Sequence, residues 1–398
     1  MAELKRIVGK TYIGLLVCLL VFNMLILVSD KTDDLQVTYA YIEMLNTAEG
    51  VKSDSKLSTE AATIAWQEYF QKYEINGSDS SDKTAAAKQA REKLMQQAKY
   101  IDNYKGIIED KRQTAILYAT AGTYKKNSFE YNNLLKTQYD LSQIIDADVQ
   151  LSNGLWLEKL YKNNYIHLLT LITCVYTVYM FFSERKNGLY HIVHTGQSGR
   201  GVLFVKRSII LLIQAVVTNV ALYTESAVML LNRYDGVKDL NVAAVSDEYF
   251  ILTSGKLSRI QFLGLIILLS ILANVVLSLV LWAILLCFGN VNIGLFFYCC
   301  ICVADVVIYK VISAKSILQI FKYLNVYYLF FPNKAAEYFN WGCFNIAVSL
   351  LTTTIIVSVF IGILALFASA YISIRKYFTG KMNIVENAIE LILTYIMR

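Results

Sequence analysis

The sequence predicts an all-α membrane protein: six transmembrane helices, with a helical extracytoplasmic domain inserted between the first and the second. Three observations predict it. Apolar residues make up 56% of the 398-residue chain and mean hydropathy is +0.44, well above the soluble norm. Six apolar runs reach roughly the 20 residues that cross a hydrocarbon core of about 30 Å. Lys and Arg gather on the flanks that six spans with an interior N-terminus leave inside.

The first span, about Ile7–Val28, has Lys5, Arg6 and Lys10 at its head. It is too long for a signal peptide, and Leu27-Val28-Ser29-Asp30 is a poor small-residue cleavage site, so a retained anchor is expected. Residues 1–29 thus form a cytoplasmic N-terminus and the first helix, and residues 30–164 the extracytoplasmic domain.

Three helices are expected in that domain. Thr59–Tyr73 is short and amphipathic. Lys83–Ala121 places Ala87, Ala90, Leu94, Ala98, Ile101, Tyr104 and Ile108 on one stripe at spacings of three and four. Tyr124–Leu151 repeats the pattern with Phe129, Leu134, Leu135, Leu141, Ile144, Ile145 and Val149, and Gly122 marks the turn between the two. Gly50–Lys56 and Asn76–Asp82 are Ser/Asp/Gly-rich breaks. Asn76-Gly77-Ser78 fits a glycosylation acceptor, a tripeptide too common to carry weight.

Residues 165–376 hold the other five spans, about Tyr165–Phe182, Ser208–Leu231, Ile260–Phe288, Val291–Tyr309 and Phe344–Ile374. The fourth and sixth spans are long enough to tilt or project. Between the second and third lies an inner segment, 183–207, with Arg185, Lys186, Arg200, Lys206 and Arg207 against the single acid Glu184. An outer interfacial segment, 313–343, precedes the last span. Ile317, Ile320, Phe321, Leu324, Tyr328 and Phe331 recur there at helical spacing up to Pro332, the only proline. A helix lying on the membrane surface is expected, with Tyr323, Tyr327, Tyr338, Phe339 and Trp341 as an aromatic belt. Residues 377–398 form a cytoplasmic tail, and Arg375, Lys376, Lys381 and Arg398 complete the interior basic flank.

All seven cysteines (18, 174, 287, 299, 300, 302 and 343) lie in or beside spans, so the polar domain must fold without disulfides. Cys299-Cys300-x-Cys302 lacks the separated Cys-x-x-Cys units of a zinc site and reads as packing, so no metal is expected. His191 and His194 stand three apart, but with no cysteine nearby a solvent-facing loop is the simpler reading; His167 reads as an interface residue. Gly196-Gln197-Ser198-Gly199-Arg200-Gly201 is followed by Val202-Leu203, where a phosphate loop needs Lys-Ser/Thr. Gly9-Lys10-Thr11 has that ending without the first glycine. No nucleotide site is therefore expected on this chain, and any energy source belongs to another polypeptide.

Ionisable residues inside spans are costly and point to function. Glu225 in the third span and Asp305 and Lys310 in the fifth qualify. A Glu225–Lys310 ion pair, the lining of a watery path and snorkelling to the surface all remain open.

One span, a large outer domain, five more spans and both ends inside resemble the permease subunit of ABC-2 type transporters. Those permeases carry a basic inner segment with a Glu, a Gly four residues on, and a later Arg-x-x-apolar-x-x-Lys. Glu184 and Gly188 match the first part and Arg200-x-x-Leu203-x-x-Lys206 the second; Thr195 stands where the family often has Thr or Ser. Gln197-Ser198-Gly199 replaces the proline frequent before the Arg. The resemblance implies that Glu184, Gly188, Thr195, Arg200 and Lys206 form the contact for a separate ATP-binding subunit, which would hold ATP and Mg. It further implies a second permease copy or related permease, a multi-pass place in the bacterial cytoplasmic membrane with both termini inside, and export of an amphipathic peptide, lipid or drug-like molecule. The chain would be a transport subunit, not an enzyme, with no nucleic-acid partner. Two rivals are a sensor or scaffold with a ligand-binding outer domain, and an ion-coupled transporter using Glu225 and Asp305.

Overall fold

Length and apolarity together decide which helices can cross a bilayer. The computed structural model describes residues 10–29, 35–51, 57–73, 82–182, 197–288, 290–312, 319–343 and 345–375. Helix α1 (Lys10–Ser29) leads into four helices of a polar layer: α2 (Leu35–Val51), α3 (Ser58–Lys72), α4 (Asp82–Thr120) and α5 (Phe129–Ile144). Then come α6 (Leu155–Lys162), α7 (Tyr165–Phe181), α8 (Gln197–Tyr234), three 3-10 turns within 237–250, α9 (Arg259–Cys287) and α10 (Val291–Val311). The short helices α11 (Gln319–Tyr323), α12 (Tyr327–Phe330) and α13 (Pro332–Ala335) follow. A two-stranded antiparallel hairpin, β1 (Asn340–Cys343) with β2 (Ile346–Ser349), leads into α14 (Leu350–Arg375).

Helices α1, α8, α9, α10 and α14 are long and apolar enough to cross a membrane, and a sixth crossing exists if α6 and α7, bent by 48°, are one span. Helix α7 alone has 17 residues, about 26 Å at 1.5 Å per residue, slightly short of the hydrocarbon core.

The polar layer contains more than the expected helices. The stripe on α4 is buried from Ala87 to Ile108, and Gly122 ends that helix region with a left-handed φ of 70°. The return helix α5 is shorter than expected, with Ser128 accepting from the Tyr131 amide at its start, and Leu135 on it is exposed. Helix α2 was not anticipated. Its Val37, Ala40, Tyr41, Met44, Leu45 and Ala48 are buried against α3 and α4. Small side chains on both faces (Ala40 and Ala48, Ala61, Ala62 and Ala65, Ala87, Ala90 and Ala98) let these helices pack closely without leaving voids.

The apolar core does not stop at the layer. One cluster runs from Met44, Leu94 and Tyr104 through Trp156 and Leu160 into Leu222, Phe262 and Ile266 on the spans. A second, deeper cluster surrounds Trp282, stacked on Phe204 at 5.1 Å and edge-on to Phe181 at 5.5 Å. Layer and bundle therefore share a core, so the layer is not a detached domain.

Two expectations about the last third are corrected. Residues 319–335 form three short helices, not one surface helix, and the strand pair follows them. The break comes where the Asn325 side chain accepts from the Tyr327 amide at 3.0 Å and donates to the Asp305 carbonyl. Tyr323, Tyr327 and Trp341 are buried, not arrayed as a belt, with Tyr327 stacked on Tyr309 at 3.6 Å and the Trp341 indole donating to Thr353. The last span begins at Leu350 and not at residue 344, because 346–349 pair as a strand and Asn345 takes the left-handed φ of 70° at the turn.

Helix α3 lacks a side-chain cap of its own. Asp102 on α4 supplies one, accepting from the Ser58 amide (2.7 Å), the Thr59 amide (2.9 Å) and the Thr59 hydroxyl (2.8 Å). Burial pushes the Asp102 carboxyl up, but these donors together outweigh it and hold it below its usual range. Its stabilising contribution is thus present above the ordinary carboxylate pKa and lost as pH falls through the lowered value. Asp102→Asn is expected to cost about 1–2 kcal/mol and to raise amide exchange selectively in 58–72. Unchanged exchange there would dismiss Asp102 as the cap.

Candidate functional site

Of the residues expected to contact an ATPase subunit, Glu184, Gly188 and Thr195 lie outside the described residues, as do His191 and His194. Arg200 stands in the first turn of α8, and Lys206 is exposed further along it. Arg207 is buried instead, its guanidinium 5.2 Å from the Phe181 ring centroid.

The ionisable residues of the spans do not come together as the pairing expected. The Asn23 amide on α1 donates to the Glu225 carboxylate at 2.8 Å and to Ser226 at 2.9 Å. Lys310 is exposed, one residue before the end of α10, and among the described residues no ion pair joins it to Glu225. The reason is packing: α10 lies against α9, α11 and α12, whereas Glu225 faces α1. Asp305 is half-buried on α10.

What the structure does bring together is a seam of uncharged polar side chains between α1, α7, α8 and α9. Gln214 donates to Thr173 at 2.6 Å, and Tyr12 and Thr218 share a hydrogen bond of 2.8 Å. Asn274 donates to Thr170 at 2.6 Å, and Ser270 donates to Asn219 at 2.5 Å. His167 is not an interface residue. It is 1% exposed, with Nδ1 2.6 Å from Ser270 and Nε2 2.7 Å from the Leu329 carbonyl, which ties α7 to α9 and to α12. In an apolar surround each such bond fixes helix against helix, because the alternative is an unsatisfied polar group. A seam of this kind sets rotation and register. Cys174, which is buried, is part of it, and no metal-holding group of His, Cys, Asp and Glu occurs among the described residues.

A charged junction joins the layer to the bundle. Arg259, the first residue of α9, has no exposed surface. Its Nε and Nη2 donate to both Asp247 oxygens at 3.2 Å, Nη1 to the Asp239 carbonyl at 3.3 Å, and Nη2 to Ser152 Oγ at 2.9 Å. The Asp239 carboxylate accepts from the Asn153 amide at 2.7 Å, and the Asn153 side chain donates to the Tyr234 carbonyl. From the layer, Gln97 donates to the Ser152 carbonyl and Tyr100 to the Val245 carbonyl, both at 2.7 Å. The Ser258–Gln261 capping box fixes the start of α9, so the guanidinium is aimed by its own helix.

Burial is the main electrostatic fact here. It lifts the Asp247 carboxyl above its usual range even with Arg259 against it, and lifts Asp239 likewise. Glu49, at the end of α2, is raised to about 7 by burial and by the neighbouring Asp239.

Two clefts flank the junction. One, of about 410 Å³, is bounded by Asp146, Asp148, Gln150, Asn241, Lys256 and Gln261. The other, of about 610 Å³, is bounded by Lys93, Gln96, Glu158, Lys162, Glu248 and Tyr249, with Gly154 and Asp247 in its wall. Gly154 is required there: a Cβ would fall 1.8 Å from Asp247 Oδ2. No family model, curated protein or solved structure matches this chain.

Proposed function

We propose that this chain is the membrane-spanning subunit of an ABC-2 type transporter, with ATP and Mg bound by a separate subunit. The layout carries the reading. The described parts of 35–154, 235–258 and 319–349 meet at one end of the helix bundle, through Tyr100–Val245 and Asn132–Asn345, and Asn333 ties the third of them to Tyr161 of α6. The chain between the first two of those segments must cross away from that end and return, so in this reading the bent pair α6–α7 makes the inward leg and α8 the leg back, giving six crossings. One crossing, a polar insertion and five more crossings is the plan the resemblance implies. The described part of the basic segment, 197–207, opens α8 at the other end.

In this reading the polar layer faces outward from the bacterial cytoplasmic membrane, both termini face inward, and closure of the ATPase on Glu184, Gly188, Thr195, Arg200 and Lys206 turns α8. The seam bonds α7, α8 and α9 so that they move together. Because its groups are largely satisfied by each other, the export path for an amphipathic substrate runs between this chain and a second copy or related permease. Purification in mild detergent should recover an ATPase subunit with the chain. Glu184→Ala or Gly188→Trp should leave insertion intact and abolish that association. If both variants retain the subunit at wild-type ratio, the coupling assignment fails.

A further inference from the structure

Helix α2 ends on a group of charges. Asn46 donates to Asp235 at 3.2 Å, and Lys238 pairs with Asp235 at 3.8 Å. Glu49 lies one turn beyond Asn46. Its Oε1 is buried and has no hydrogen-bond partner among the described residues. A buried carboxylate oxygen without a donor is costly when the group is charged.

We propose that Glu49 is a proton-operated latch between α2 and the loop that holds Arg259: protonated, it seats the last turn of α2 on residues 235–239; ionised, it releases that turn. The groups acting on Glu49 from the packed elements support this. The loop after α8 presents Asp239 and Asp235 as like charges and Lys238 as an opposing one, and Arg259 acts from the head of α9. On α2 itself Tyr41 lies two turns back, with its hydroxyl engaged by Gln97 of α4. From α3, Lys72 is taken by Glu43. Burial and Asp239 together bring the Glu49 transition to about 7. The sign follows: a carboxyl raised in the folded state is favoured while protonated, and that advantage fades as pH climbs from its ordinary value through the raised one. The loop is also the one whose Asp239 carboxylate receives the Asn153 amide and whose carbonyl receives Arg259. Release would therefore loosen the layer from the bundle. This holds whether or not the chain is a permease.

The test uses the full chain in nanodiscs and hydrogen exchange, corrected for intrinsic rates, at about pH 5.5 and about pH 8.5. Exchange in 42–51 is expected to rise about tenfold or more across that range. Glu49→Gln should remain protected at both values. Lys238→Gln, an exposed change that removes a charge favouring the ionised form, should move the midpoint to higher pH. A flat wild-type profile, a Glu49→Gln profile like wild type, or an unmoved Lys238→Gln midpoint would each overturn the latch.

Discussion

Arg259→Ala is expected to be the most damaging single substitution in the described chain, at about 3–5 kcal/mol. The side chain is fully buried, and truncation strips the Asp247 carboxyl of its donors, whereas the Asp239 carbonyl keeps the Val242 amide and Ser152 its bond to Gln150. The cost arises from that orphaned carboxyl more than from any net gain of the pair, since burial already lifts Asp247 above its usual range. Hence Arg259→Met with Asp247→Leu should recover a large part of the loss, since Ser152 keeps its hydrogen bonds to Gln150 and Gln97. Thermal unfolding in nanodiscs, followed by tryptophan fluorescence, reads both. If the double variant is as unstable as the single, the argument from an unpaired charge is wrong.

The second large effect lies one helix away. Trp156 is fully buried at the start of α6, and its ring is pressed onto Gly236, where an added Cβ would fall 2.4 Å from Cδ1. Trp156→Ala should cost about 3–5 kcal/mol through lost burial and the cavity left behind. Gly236→Ala should destabilise for the opposite reason, because the ring must move while Asp235, at a left-handed φ of 50°, fixes the chain before it. Since the two changes act on one contact, Trp156→Ala with Gly236→Ala should cost less than the sum of the singles. Strict additivity would show that the ring does not bear on Gly236.

Much of the fold was legible as period. The stripe from Ala87 to Ile108 on α4 is buried as its spacing predicts. Helix α2 carries an equally clear pattern at 37, 40, 41, 44, 45 and 48. The segment 319–349 misled for a physical reason. Its aromatic residues fit a surface helix by spacing, but Asn325, Pro332 and Asn345 each favour a local break, and burial of Tyr327 and Trp341 decides among the alternatives.

The junction and the seam were less visible. Nothing local to Arg259 says that its partners come from 152, 239 and 247. The seam did leave a trace: Thr170, Thr173, Cys174 and Thr177, then Ser270, Asn274 and Ser278, recur every three or four residues inside apolar runs. Charged residues stand out more in apolar runs, but Glu225 turns to Asn23 on α1, while Lys310 is exposed near the end of α10.

The sequence alone determined that this chain is helical, that at least five of its helices are long and apolar enough for a bilayer, and that a polar helical region sits between the first of them and the rest. Those properties follow from composition and period, which act along a single segment. Only the tertiary structure decided that the polar layer shares its core with the bundle, that Arg259 binds them, and that Glu225 meets Asn23. Each of those depends on which faces of distant segments meet, and a burial pattern fixes that a face is covered without saying what covers it.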